Sequence, residues 1–72
     1  MPTLIAADPC LFRAVMARRQ VPAAQLAERL GITRTQVYRL RDGARTADSY
    51  VASQIAKALH VDVALLWETH DG

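Results

Sequence analysis

The chain is poor in the residues on which many enzymes and secreted proteins depend. Cys10 is its single cysteine, so no internal disulfide can form. Its two histidines, His60 and His70, have no pair of cysteines to complete a zinc spacing. Three unclustered glycines make no phosphate-cradling loop, and no serine, histidine and aspartate stand at the spacing of a nucleophilic triad. The carboxylates are scattered and read as helix caps. These absences argue against a metal site, a cofactor and a small-molecule ligand, and they predict no enzymatic activity. Cys10 falls near an expected helix start, where a thiolate could be stabilised, but it reads more simply as an idle thiol.

Long apolar runs are missing too. None approaches the roughly 18 to 20 residues of a membrane span, and the N-terminus has no basic region followed by an apolar stretch, so the expected setting is intracellular and away from membranes. Aromatic residues are few, at 6%, although 51% of the 72 residues are apolar. A core of Leu, Val, Ile and Ala on short helices is the natural solution. The length allows one domain, near the size at which a single core only just offsets chain entropy, with little room for a large catalytic cavity.

Lysine is nearly absent as well. Apart from Lys57, every basic residue is an arginine, the side chain that pairs bidentately with phosphate and guanine. The net charge is only +2, but it is unevenly placed. Between Ile32 and Thr46 lie Arg34, Arg39, Arg41 and Arg45 against one acid, Asp42. That distribution predicts a local basic patch; solubilising charge on a solvated helix face is the plainer alternative.

What is present centres on residues 23–40. Leu26, Ala27 and Leu30 make one short helical face, Val37 and Leu40 make a second, and Gly31-Ile32-Thr33 interrupts the pattern between them. Gly31 stands where a helix ends on a residue free to take positive φ. Thr33 and Gln36 then form a capping-box pair that restarts the helix. With Val37 and Leu40 inward, Arg34, Thr35, Tyr38 and Arg39 fall on the outer side. Two arginines, a tyrosine and hydroxyl and amide groups on an exposed helix suit a DNA groove.

This stretch resembles the helix-turn-helix of the lambda-repressor-like proteins, which include phage repressors, Cro proteins and many small XRE-type bacterial regulators. Leu26, Ala27, Leu30, Gly31, Ile32, Thr33, Val37, Leu40 and Gly43 carry the resemblance. It extends more weakly through Ile55, Ala56, Ala58, Leu59, Val61 and Leu66. The resemblance implies a compact all-α domain of five helices with the helix-turn-helix at its centre. Ala27 would let two helices cross closely, and Gly43 would turn the chain after the recognition helix.

Taken in order, residues 1–7 read as a flexible arm, residues 8–68 as the helix-turn-helix domain and residues 69–72, with His70, as a loose tail. Asp8 and Pro9 form a helix start, and Leu11, Phe12, Val15 and Met16 give a helix from about Pro9 to Arg19 with an apolar core stripe. Pro22 biases Val21 to extended backbone. Asp48 or Ser49 caps a fourth helix to about Leu59, with Val51, Ala52, Ile55, Ala56, Ala58 and Leu59 inward and Lys57 outward. His60 tolerates the left-handed geometry expected at that helix end. Asp62 caps a final helix whose apolar set is Val63, Leu65, Leu66 and Trp67.

The resemblance also implies a role for individual residues. The recognition helix, about 33–42, would enter the major groove of double-stranded DNA, with Arg34, Thr35 and Arg39 as the first base readers and Gln36 and Tyr38 as the next. Arg45 and Thr46, with Arg41, Arg19 and the backbone at Ala23, would hold phosphates. Two departures stand out. Pro22 and Ala23 replace the polar cap and Gln usual at the start of the second helix. Arg41 and Met16 stand where relatives carry an acid and an arginine, so that ion pair is expected to be missing, with Arg41 facing either DNA or solvent. The resemblance allows Leu65 or Trp67 to pair two subunits, with burial within one subunit the plainer reading for Trp67. The implied function is a sequence-specific transcription regulator, a small phage-type or bacterial repressor in the bacterial cytoplasm or nucleoid. The competing reading is an antitoxin or adaptor that uses the same fold to hold a protein.

Overall fold

A computed structural model describes residues 3–70. Met1 and Pro2 of the expected arm, and Asp71 and Gly72 of the expected tail, lie outside the described residues. Five helices and two short strands follow one another as β1 (Thr3–Ala6), α1 (Pro9–Arg18), α2 (Ala23–Leu30), α3 (Arg34–Arg41), α4 (Ser49–Leu59), α5 (Val63–Leu66) and β2 (Trp67–His70).

Each helix is bounded by local chemistry. The Asp8 carboxylate accepts from the amides of Cys10 and Leu11, and Pro9 occupies the first position, where no N–H is needed. α2 ends on Gly31 at φ 69°, left-handed backbone that a glycine takes without a Cβ clash. The Thr33 hydroxyl accepts from Gln36 N–H at 3.2 Å, and Gln36 Oε1 accepts from Thr33 N–H at 3.1 Å, completing the capping box of α3. Asp48, rather than Ser49, caps α4 by accepting from Val51 N–H at 2.8 Å. His60 closes α4 in the left-handed region at φ 57°. Asp62 stands at the cap position of α5, but its side chain accepts no bond there.

One core runs through the molecule, built from Phe12, Leu26, Val37, Ile55, Leu59 and Leu66 as its largest fully buried side chains. Ala27 is buried where α2 crosses the core, and Ala52 and Ala56 bring α4 close to it. On α1 only Phe12 and Met16 are buried. Leu11, expected in the same stripe, is exposed because it lies about 100° around the helix from Phe12. Gln20, after α1, takes left-handed backbone at φ 56°, a stop that nothing in the apolar pattern announces.

The all-α expectation holds only approximately. β1 and β2 form an antiparallel pair in the register Thr3↔His70, Leu4↔Thr69, Ile5↔Glu68 and Ala6↔Trp67. On its other side Leu4 exchanges two backbone hydrogen bonds of 2.7 Å with Ala47. The segment read as a loose arm is therefore ordered over residues 3–6, and His70 belongs to a strand. The reason is non-local: a four-residue strand is too short to show a period of its own, and its partners are supplied by residues more than 40 positions away.

Trp67 changes role with this sheet. It leaves the helix for β2, is 3% exposed, and meets the Phe12 ring edge-on at 5.2 Å between centroids. Its indole N–H is buried without an acceptor among the described residues. Trp67 is thus a core residue, whereas Leu65 remains 44% exposed.

Candidate nucleic-acid interface

α3 is amphipathic in a way that its sequence forces. Val37 and Leu40 are buried, so Thr35 and Arg39 project most directly away from the core. Arg34 and Tyr38 lie toward one flank and Gln36 toward the other. Arg34, Thr35, Tyr38 and Arg39 are all exposed. Gln36 is only half-exposed because its carbonyl oxygen is committed to the capping box, which leaves its amide N–H groups to face outward partners.

A recess lies on each side of this helix. The larger, about 540 Å³, is an open groove that brings together Arg13 and Gln20 from the first helix and its connection, Pro22 and Ala23 at the start of α2, and Tyr38 and Arg41 of α3. Ala23 has a buried side chain, so what it offers the groove is backbone. No side chain caps α2 at Pro22, and hydrogen bonding to Pro22 C=O begins with Gln25, so the amides of Ala23 and Ala24 have no partner within the helix. Such a terminus favours an anion. The smaller recess, about 170 Å³, is lined by Ile32, Leu40, Thr46, Ala47, Val51 and the charged pair Arg45 and Asp48. Arg45 is exposed and Thr46 half-buried at its rim.

An arginine and an acid do join the two helices, but at other positions: Arg13, one turn before Met16 on α1, and Asp42, one residue after Arg41. Arg13 donates to Asp42 Oδ1 from Nη2 at 2.8 Å and from Nε at 3.2 Å. Arg41 donates to the same carboxylate from Nε at 2.9 Å and from Nη2 at 3.2 Å, and its guanidinium lies 4.9 Å from the centre of the Tyr38 ring. Two guanidinium groups, Arg41 first and Arg13 second, pull the Asp42 carboxyl down to about 2, and the carboxylate in turn raises Arg13. Arg41 is therefore partly exposed but held against α3, with one face on Tyr38 and one edge on Asp42.

The arginine-to-acid tether, the capping box, the Gly31 stop and the exposed α3 form a single helix-turn-helix frame. The sequence model of the Cro/C1-type HTH DNA-binding domain matches residues 12–70. The chain belongs to that family. No curated protein and no solved structure matches it significantly. As a Cro/C1-type domain the chain is a DNA-binding module, and its matched region takes in α3, both recesses and β2, but not β1.

Of the residues read from the sequence as a site, Arg34, Thr35, Gln36, Tyr38 and Arg39 share α3, and Arg41 and Ala23 meet in the larger groove while Arg45 and Thr46 meet in the smaller recess. Arg19 caps the C-terminal end of α1 and is exposed, and it does not line the groove. Arg13, Gln20 and Asp42 were not singled out beforehand. The pattern that points to Arg13 and Asp42 is the ion pair implied by the resemblance, displaced by one turn on α1 and by one residue at the end of α3; no pattern points to Gln20. Among the described residues no cluster of three or more His, Cys, Asp or Glu could hold a metal, and no helix is long and apolar enough to cross a membrane.

Proposed function

We propose that this Cro/C1-type domain is a sequence-specific double-stranded DNA-binding transcription regulator of the phage-type or bacterial repressor kind, with residues 33–42 in the major groove. The observation that carries the reading is the outward face of α3: Arg34, Thr35 and Arg39 stand free of ion pairs among the described residues, between two recesses that each hold an arginine. A helix seated in a major groove has a phosphate backbone on either side, so this is the charge distribution it needs.

Arg34, Thr35 and Arg39 read bases, with the Gln36 amide and Tyr38 hydroxyl beside them. An arginine donates twice to guanine O6 and N7, each good bidentate contact contributing roughly 1 to 3 kcal/mol of discrimination. Arg45 and Thr46 bind one phosphate strand. The free amides of Ala23 and Ala24 and the Arg41 guanidinium meet the other, with Arg19 farther along it. Arg41 acts here as a fixed charge, because Asp42 and Tyr38 hold it in place. Paired subunits would read half-sites about 34 Å apart, and Leu65 is the exposed large apolar residue on α5 for such pairing.

Selection of bound duplexes from random DNA tests binding, specificity and half-site symmetry together. A single recovered motif, with affinity falling steeply as salt rises, supports the reading. Equal recovery of all sequences points to an architectural binder. No binding at low salt points to the antitoxin or adaptor alternative, for which Leu65 remains as support now that Trp67 is buried.

A further inference from the structure

Among the described residues, left-handed backbone occurs at Gln20 (φ 56°), Gly31 (φ 69°), Gly43 (φ 76°) and His60 (φ 57°). The glycines take that conformation without a Cβ penalty, and the two larger side chains do not. Gln20 and His60 build the same local structure. Gln20 N–H donates to Ala17 C=O at 3.1 Å and Val21 N–H to Met16 C=O at 3.0 Å, while His60 N–H donates to Lys57 C=O at 3.2 Å and Val61 N–H to Ala56 C=O at 3.1 Å. Both are helix-ending turns of the kind that glycine fills most easily. Their surroundings set them apart. His60 lines neither recess beside α3, whereas Gln20 lines the larger one together with Ala23, three residues further along the chain.

That groove has few side-chain donors to spare for a phosphate. At the start of α2, Pro22 makes no side-chain cap and the Ala23 methyl is buried. Arg13 and Arg41 each give two donors to Asp42, and the Arg41 guanidinium lies over the Tyr38 ring. Gln20 is exposed, and no side-chain hydrogen bond among the described residues uses it. Its carboxamide carries two N–H donors and no charge. Gln20 is therefore the uncommitted amide donor of the groove.

We propose that Gln20 is a DNA-backbone contact: its carboxamide donates to the phosphate that meets the start of α2, supplying from the end of α1 the side-chain donor that Pro22 and Ala23 lack. The proposal rests on the reading of α3 as a major-groove helix and adds to it a residue outside the helix-turn-helix. The contact is neutral, which distinguishes it from those of Arg41 and Arg45. It releases no counterion, so the affinity it adds does not fall with salt. It meets phosphate and not base edges, so it adds the same affinity on every sequence.

The left-handed backbone makes the test unusually clean. Gln20→Gly removes the carboxamide and relieves the strained turn in one step, so stability and affinity should move in opposite directions. The full chain carrying it should unfold at a higher urea concentration and yet bind both a selected and a random-sequence duplex about threefold to tenfold more weakly, the range of one neutral hydrogen bond. The slope of log affinity against log salt should stay unchanged. His60→Gly relieves the matching turn away from the groove, and should raise the urea midpoint with both affinities intact. Gln20→Glu keeps the side-chain length but puts a carboxylate against the phosphate, and should weaken both duplexes more than Gln20→Gly does, most of all at low salt.

Unchanged binding by Gln20→Gly overturns the proposal. So does a loss confined to the selected duplex, which would make Gln20 a base reader, and so does an equal loss in His60→Gly, which would trace the effect to the backbone. Failure of the unaltered chain to bind any duplex at low salt is a different result: it removes the DNA reading itself, and this contact with it.

Discussion

Arg13 on α1 and Asp42 at the end of α3 are joined by a two-donor contact, 2.8 Å from Nη2 and 3.2 Å from Nε, across 29 positions of sequence. The same carboxylate takes two donors from Arg41. One exposed acid thereby ties the recognition helix to α1 and sets the posture of the arginine beside it. Surface pairs contribute little stability singly, so the value of this network lies in orientation.

Acid should reveal it. The Asp42 carboxyl lies at about 2 against an ordinary 3.8. Its folded pKa is depressed, so its contribution is complete above the unfolded value and is lost as pH falls through the folded one, between about pH 4 and pH 2. Asp42→Asn should lower the melting temperature slightly at neutral pH and flatten its fall over that window. An unchanged acid slope in the variant would show that the network does not couple to folding.

On DNA, Arg39→Ala should weaken a selected site by roughly 1 to 3 kcal/mol while leaving binding to random duplex almost unchanged. Arg45→Ala should weaken both alike and reduce the steepness of the salt dependence by about one phosphate. Titrations of both variants on both DNAs at several salt concentrations check this. Equal losses on the two DNAs for Arg39→Ala would remove it from base reading.

Thr33→Ala deletes the acceptor for Gln36 N–H and breaks the reciprocal box at the start of α3. Urea unfolding should show a loss of about 1 kcal/mol. Because the frayed turn carries Arg34 and Thr35, specific DNA affinity should fall by more than stability alone accounts for. Retained affinity with reduced stability would place base reading farther along α3.

His60 holds left-handed backbone at φ 57° at the end of α4. A side chain there costs about 1 to 2 kcal/mol, and a glycine brings an unfolded-state penalty of about 0.5 to 1 kcal/mol. His60→Gly should therefore raise stability by up to about 1 kcal/mol in urea unfolding, with DNA binding unaffected.

Trp67→Ala should be far more damaging. It removes the largest side chain of the core along with its edge-on contact to Phe12, a loss of about 3 to 5 kcal/mol. In a chain this small that is most of the stability. Loss of the near-ultraviolet circular dichroism of Phe12 and Tyr38 with partial retention of helix signal is the expected outcome.

What the residues determined by themselves was whatever depends on neighbours a few positions apart. Asp8 with Pro9, Gly31, Thr33 with Gln36, Asp48 and His60 each end or begin a helix through groups within one turn, so α1 to α4 and the outward face of α3 were legible in the chain. Tertiary structure alone decided the long-range pairings. Leu4 found Ala47 and Thr69, Phe12 found Trp67, and Arg13 found Asp42. In each case the free energy comes from groups brought together only when the helices pack, and no periodicity in the chain records it. That is why a presumed arm became β1, Trp67, open between core and a subunit contact, became core, and Arg41 became a fixed charge.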